Sequence, residues 1–270
     1  MSWVLSLMQP PPLRLDLRNL VPQALAGLAP AAVETLSLWQ GRQALPLAEF
    51  FQVSRTEGAD DTLVFEGDLS RCDRIGWQLA GGRIEVRGNA GDLVGAGMAA
   101  GEISVAGSAG LLAGCEMQGG LLTVRGNVGD FAAAPLPGNM EGVRGGTLVV
   151  HGNAGARLAD RMRRGLVLVH GSVGDFAASR LVAGTVAIGG AAGAHAGFQM
   201  RRGTLLCAGP APLHSPTFVP TRHDTGVIWQ LLSRSLVRHG GAFAGLPARR
   251  MQRLAGDLAT GGRGEILLPQ

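Results

Sequence analysis

Two histidines are the first residues of this sequence whose type and spacing could support chemistry. His151 and His170 lie 19 residues apart, and two imidazoles held side by side could share a metal ion. A zinc site uses three or four ligands, however. The same position of other repeats holds Arg87 and Arg125, which would repel a cation. We therefore expect no metal here and interpret the histidines as part of a solvated or interface ladder.

A set of arginines is the second candidate. All 24 basic residues are Arg, and the formal net charge is +4. Several arginines recur at one corner of the repeat, and stacked arginines repel one another unless an acidic partner meets them. We predict that this corner contacts an acidic neighbouring subunit or an anionic chain such as polyglutamate, with a solvated basic stripe as the alternative. The residues are Arg144, Arg163, Arg164, Arg201 and Arg202.

Several classes of function are disfavoured by composition. The net charge is small and aromatic residues make up only 4%, which argues against nucleic-acid binding. The glycine-rich tetrads lack the Lys of a phosphate-binding loop. Met1–Met8 has no basic region and runs into prolines, so we expect neither a signal peptide nor a membrane span. Three separated cysteines, Cys72, Cys115 and Cys207, indicate reduced thiols in a cytoplasm and no metal cluster.

A glycine repeat must position these residues. Seven opening glycines each begin a copy of the same sequence repeat, in steps of 19, 19, 26, 19, 19 and 19 residues, and a second glycine follows six residues after each. A fixed period near 20 is typical of a solenoid. The opening glycines are Gly82, Gly101, Gly120, Gly146, Gly165, Gly184 and Gly203.

Apolar residues two and four positions after each opening glycine predict a short half-buried strand. Examples are Ile84 with Val86 and Val167 with Val169. Stacked copies would pair in parallel, so we predict an all-β solenoid. It is a parallel β-helix of about seven 19-residue coils with mixed α/β terminal extensions. Parallel crossovers are right-handed as a rule, and we expect that hand here.

The predicted organisation has three parts. Residues 1–60 form an N-terminal mixed extension and cap, 61–209 the β-helix repeat domain, and 210–270 a partly helical C-terminal extension. Within the extensions we predict a strand at Leu13–Leu17, helices from Pro30 to Trp39, around Gly226–His239 and near Ala248–Leu258, and a degenerate first coil at Thr62–Gly67.

The outward strand positions change character along the chain. Early repeats place charged residues there, whereas later ones place Val149, Leu166, Leu168 and Leu206. An outward apolar patch marks a partner surface, or else a terminal helix folds back and covers it. The long repeat carries seven extra residues within 132–145, which should bulge from one corner and reach a neighbour.

The repeat phrases and the flanking segments resemble one known family. Gly88–Asp92 and Gly126–Asp130 are similar to the solenoids of glutamate synthase large subunits and of the C-type subunit of formylmethanofuran dehydrogenase, with its counterpart in the bacterial formyltransferase/hydrolase complex. The flanks resemble the second group. These flanks are Phe65–Arg71, Arg74–Gly76, Gly256–Ala259 and Gly262–Leu267.

This resemblance implies a non-catalytic structural subunit of a one-carbon complex. Such a complex moves a formyl group from tetrahydromethanopterin to a methanofuran analogue and releases formate. The implied partners are amidohydrolase-like, formyltransferase and molybdopterin-type subunits, with zinc held in other subunits and no cofactor in this chain. Two alternatives are a glutamate synthase-type β-helix component and a free-standing solenoid that binds an anionic ligand.

Overall fold

The chain is mostly β, with few short helices and one large, mainly parallel sheet. The computed structural model describes residues 2–57, 61–211, 216–221 and 226–270. The predicted β-rich class is confirmed. The strands are β1 (Ser2–Leu7), β2 (Leu15–Asp16), β3 (Ser37–Gln40), β4 (Gln43–Pro46), β5 (Phe51–Thr56), β6 (Thr62–Glu66), β7 (Cys72–Asp73), β8 (Ala80–Arg87), β9 (Ala100–Val105), β10 (Gln118–Val124), β11 (Gly145–Val150), β12 (Leu166–Val169), β13 (Thr185–Ile188), β14 (Thr204–Cys207), β15 (Val219–Pro220), β16 (Met251–Gly256) and β17 (Gly264–Pro269).

Helices are confined to the two ends of the chain. The α-helices are α1 (Pro22–Leu25), α2 (Pro30–Glu34) and α3 (Gly226–Val237), and short 3-10 helices span Leu47–Glu49, Gly241–Phe243, Leu246–Ala248 and Leu258–Thr260.

Strands β8 to β14 come one from each repeat, and each pairs in parallel with the strand of the next repeat. Ile84 pairs with Ile103, and the same register continues through every later repeat. Identical phases of successive repeats therefore form ladders along the sheet. β6 lies in the segment Thr62–Gly67, predicted as a degenerate first repeat, and it pairs in parallel with β8.

The inward ladders form the main core. The residues two and four positions after each opening glycine are 0–1% exposed, because alternate side chains of a strand point to the same face. A third apolar position packs against them at Met98, Met117, Val143, Met162, Leu181 and Met200.

Side chains of the glycine-rich turns link one repeat to the next. Asn153 Oδ1 accepts a hydrogen bond from the Ser172 N–H at 2.8 Å, and Ser172 Oγ accepts one from the Ala191 N–H at 3.0 Å. Asp175 Oδ1 likewise accepts from the Ala194 N–H at 2.7 Å. Each bond satisfies a backbone donor that the turn would otherwise leave to water. The sequence indicated turns here, but not this hydrogen-bond ladder.

Both ends of the large sheet are closed by antiparallel pairing. β1 pairs in parallel with β6 and antiparallel with β5, and β17 pairs in parallel with β14 and antiparallel with β16. A smaller sheet of β4, β3, β2 and β7 lies at the N-terminal end. Such caps protect the open edges of a parallel stack.

Two terminal helix predictions need correction. The helix from Pro30 stops at Glu34, and Trp39 lies in β3 because that segment pairs with β2 and β4. The segment predicted as a helix near Ala248–Leu258 is mainly β16, which pairs along its length with β17. In both cases, pairing with neighbouring strands overrides local helix propensity.

Candidate interaction surfaces

The outer apolar patch, defined as Val149, Leu166, Leu168 and Leu206, is covered by the chain itself. Leu168 and Leu206 are 0% exposed and Val149 is 6% exposed, while Leu166 is half-buried against them. The cover consists of α3 and the residues after it. The covering side chains that cluster with the patch are Trp229, Leu236, Phe243, Leu246, Met251 and Leu267. The prediction that this patch is a free partner surface is therefore wrong, and the alternative, that a terminal helix covers it, is correct.

Helix α3 has one buried face and one exposed face. Trp229 and Leu236 are buried against the sheet, and the Trp229 indole N–H donates to the Arg249 carbonyl oxygen at 3.0 Å. The opposite face exposes Val227, Ile228 and Leu231. A surface helix normally has one apolar and one polar face, whereas α3 carries apolar residues on both.

His151 and His170 stack as the repeat register predicts. Their ring centroids are 4.8 Å apart with planes 5° from parallel, and Phe243 packs on His170 at 4.9 Å. Burial lowers the pKa of both imidazoles, and the Arg125 cation lowers that of His151 further. Among the described residues no group of three or more His, Cys, Asp or Glu is arranged to hold a metal ion.

The predicted arginine corner is partly paired. Arg163 lies 3.0 Å from the Glu141 carboxylate, and Arg144 lies 4.0 Å from it. Arg164, Arg201 and Arg202 are exposed and form no ion pair with a described acidic residue. The long repeat thus supplies one carboxylate to a corner that carries an excess of positive charge.

An arginine cavity of about 270 Å³ lies at this corner. It brings together Arg163 and Arg201 from the predicted set, while Arg144, Arg164 and Arg202 are not part of its lining. Its other lining residues are Met140, Arg161, Arg180, Val182, Gln199 and Thr260.

An aromatic and cationic ladder links four successive repeats. Arg157 lies over the rings of Phe131 and Phe176, at 6.0 and 4.9 Å, and Phe176 stacks on His195 at 4.8 Å. All four residues have positive φ, between 58° and 60°. Their shared position, eleven residues after each opening glycine, is a signal in the sequence that could have revealed the ladder.

The three thiols lie inside the fold. Burial raises the pKa of Cys72, Cys115 and Cys207 to about 12 each, and nearby carboxylates add to the shift for Cys72 and Cys115. All three are free and buried. A thiol with this pKa is protonated near neutral pH and is a poor nucleophile or metal ligand.

The fold and these surfaces define a glycine-rich repeat protein whose successive strands stack into a long parallel sheet. No helix in the described part of the chain is long and apolar enough to span a membrane. No profile of a known protein family matches the sequence.

Two known proteins have sequences similar to part of this chain. Over 82 residues it is 38% identical to the C-type subunit of a molybdenum-containing formylmethanofuran dehydrogenase from Methanosarcina barkeri, covering 29% of this chain and 27% of that protein. Over 80 residues it is 45% identical to the C-type subunit of the formyltransferase/hydrolase complex of Methylorubrum extorquens, covering 30% and 29%. These alignments thus span under a third of each curated relative.

A solved structure matches the whole chain. It is a chain of the formyltransferase/hydrolase complex from Methylorubrum extorquens in complex with methylofuran, 43% identical, with a TM-score of 0.92 over 99% of both chains. The protein therefore belongs to the family of C-type subunits of formylmethanofuran dehydrogenases and formyltransferase/hydrolase complexes.

Proposed function

We propose that this chain is the structural subunit of a formyltransferase/hydrolase complex. The observation that carries the proposal is the full-length match, 43% identical over 99% of both chains, to a chain of such a complex. The named relatives favour this function over the glutamate synthase alternative. In this proposal residues 61–209 form a parallel β-helix of about seven coils, with 1–60 and 210–270 as its terminal extensions.

The proposed reaction is the one implied by the family. The complex would move a formyl group from tetrahydromethanopterin to a methanofuran analogue and release formate. Amidohydrolase-like, formyltransferase and molybdopterin-type subunits would carry out the chemistry in the cytoplasm, with zinc held outside this chain. The solved relative contains methylofuran, which supports a furan carrier as the cofactor of the complex.

A non-catalytic role for this chain is supported by its own side chains. The free thiols are buried with pKa values of about 12. His151 and His170 stack on each other, and His170 also packs beneath Phe243, so these imidazoles are engaged in packing. What the chain offers is a long sheet with one strand from each repeat, which suits the positioning of neighbouring subunits.

Affinity purification from the native source tests the proposal. A tagged copy of the full chain should elute with three other subunits in constant ratio, and the eluate should convert formyl-tetrahydromethanopterin to formate. The strain lacking this chain should yield less of the assembled complex. Elution of the chain alone at native expression level would contradict the proposal.

A further inference from the structure

An apolar groove of about 580 Å³ lies on the long repeat. Pro135 to Met140 of this repeat line it, together with Leu111 and Leu112 of the preceding repeat and Asp160, Arg161 and Arg180 of the two following repeats. Several of the apolar lining residues are unusually exposed: Met140 is 70%, Leu111 is 47% and Phe131 is 40% exposed. The remaining apolar lining includes Leu112, Leu136 and Pro137. Exposed apolar residues gathered in one place mark an interaction site rather than a solvated loop.

The groove is continuous with the arginine cavity. Both are lined by Met140, Arg161 and Arg180. Within the described chain, the lining of the cavity holds four arginines and no carboxylate. The combined surface therefore places an apolar slot beside a strongly positive pocket.

The positive charge is only partly neutralised by this chain. Arg180 pairs with Asp160, which is 4% exposed, and Arg163 pairs with Glu141. Arg161 and Arg201 form no ion pair with a described residue. Arg161 Nη1 already donates to the Asn139 carbonyl oxygen and to Met140 Sδ. The Arg201 guanidinium and the remaining N–H groups of Arg161 are thus available to a ligand, and guanidinium groups bind carboxylates in a bidentate manner.

The wall of the groove is held in place before any partner arrives. Glu116 Oε1 accepts hydrogen bonds from the Leu136 N–H at 2.9 Å and from Asn139 Nδ2 at 2.6 Å. Arg161 donates to the Asn139 carbonyl oxygen at 3.3 Å, and the Gly142 N–H donates to the Arg161 carbonyl oxygen at 3.0 Å. A preformed wall reduces the entropy lost on binding.

We propose that the apolar groove and the arginine cavity together form the docking site for a partner subunit's segment that carries an apolar anchor beside carboxylates. The apolar side chain would enter the groove against Phe131 and Met140, and the carboxylates would meet Arg161 and Arg201. Charge complementarity selects this occupant over a purely apolar one, because an apolar chain would leave Arg161 and Arg201 without a carboxylate partner. The proposal rests on the chain's proposed role as a complex subunit.

Site-specific photo-crosslinking in the assembled complex tests this site. A benzophenone amino acid replaces Met140, whose exposure makes the change compatible with folding, and a control replaces Leu13, which is 59% exposed near the N-terminus. After irradiation, mass spectrometry of the complex should map the Met140 crosslink to a segment of another subunit with Asp or Glu next to an apolar residue. A crosslink to a second copy of this chain, to a segment without carboxylates or to no protein at all would overturn the proposal.

Two charge variants provide an independent measurement. We expect Met140→Glu and Arg201→Glu each to weaken binding of the full chain to the remaining subunits by about tenfold or more, with unchanged circular dichroism. Leu13→Glu should leave the affinity within about twofold. Binding of Arg201→Glu should also depend less on salt, because one charge contact is lost.

The outcomes separate this site from the proposed function. If both variants bind the other subunits as tightly as the wild-type chain does, the docking site is wrong while the subunit role stands. If the wild-type chain binds none of them, the proposed function itself fails.

Discussion

The imidazole rings of His151 and His170 lie parallel, 4.8 Å apart, on adjacent repeats. Arg125 Nη1 lies 3.2 Å from His151 Nε2, so this nitrogen acts as an acceptor and the ring is neutral. His170 Nε2 is buried and has no hydrogen-bond partner among the described residues. Protonating His151 would place a cation beside Arg125. Protonating His170 would bury an N–H group that has no acceptor among the described residues.

Stability should fall as the pH drops below neutral. Burial lowers the pKa of His151, His170 and His239 below the ordinary value of 6.5, so the unfolded chain binds more protons than the folded one. Stability is then fully present above pH 6.5 and decreases as the pH falls through the folded-state values. We expect a lower melting temperature at pH 5.5 than at pH 7.5. A His151→Asn, His170→Asn double variant should show a smaller difference, and an unchanged difference would contradict this origin.

Trp229→Ala should destabilise the C-terminal cover. The indole is 8% exposed and packs over the outer apolar patch, so its removal should cost about 3–5 kcal/mol of unfolding free energy. The uncovered leucines should also bind a hydrophobic dye. Urea unfolding and dye fluorescence measure both effects. Ile228→Ala on the same helix is the control, since Ile228 is 60% exposed and should change stability by less than about 1 kcal/mol.

Gly190→Ala should disturb the stacking of the repeats. A Cβ there would lie 2.6 Å from the Gly171 carbonyl carbon and 2.7 Å from its oxygen, and backbone atoms cannot yield as a flexible side chain can. We expect a loss of about 1–3 kcal/mol in thermal or urea unfolding. Gly245→Ala, where nothing lies within 4 Å of the added Cβ, should be close to neutral. Equal effects of the two substitutions would argue against close backbone packing.

The turn ladder should contribute measurably at each hydrogen bond. Asn153→Ala removes the acceptor of the Ser172 N–H and should lower the unfolding free energy by about 1 kcal/mol. Asn153→Asp keeps an acceptor oxygen and should retain most of the stability. If the two variants unfold at the same urea concentration, the side-chain bond contributes nothing.

The three cysteines should resist alkylation in the folded protein. Their pKa values of about 12 lie about three units above the ordinary value of 9.0, so the thiolate fraction at pH 8 falls by a factor of about a thousand. Iodoacetamide labelling followed by mass spectrometry should detect reaction only after denaturant is added. Rapid labelling of the native chain at Cys115 would show that its site opens to solvent.

The terminal segments show where sequence reasoning stops. The helix predicted around Gly226–His239 is present as α3, because its residues form a helix with one buried face. The segment near Ala248–Leu258 is instead mainly a strand, since β17 lies beside it and satisfies its backbone groups. Local propensity decides an element only when no other strand competes for its hydrogen bonds.

The candidate site divides in the same way. The sequence indicated that Arg144, Arg163 and Arg201 share one corner, because a fixed period places equivalent residues in one column. It did not indicate the apolar groove, whose walls are held by Glu116, Leu136 and Asn139 through hydrogen bonds across 20 and 23 residues. The path of the inserted residues, which follows no period, decides that shape.

By itself, then, the sequence determined the strand positions, the parallel register and the inward ladders. A repeated phrase makes every repeat adopt the same backbone, so alternate residues must face the same core. Only the tertiary structure decided that α3 covers Val149, Leu168 and Leu206 and that Met140 stays exposed beside Arg201. Those outcomes depend on where non-repeating segments return to the sheet, which is set by long-range packing that periodicity does not encode.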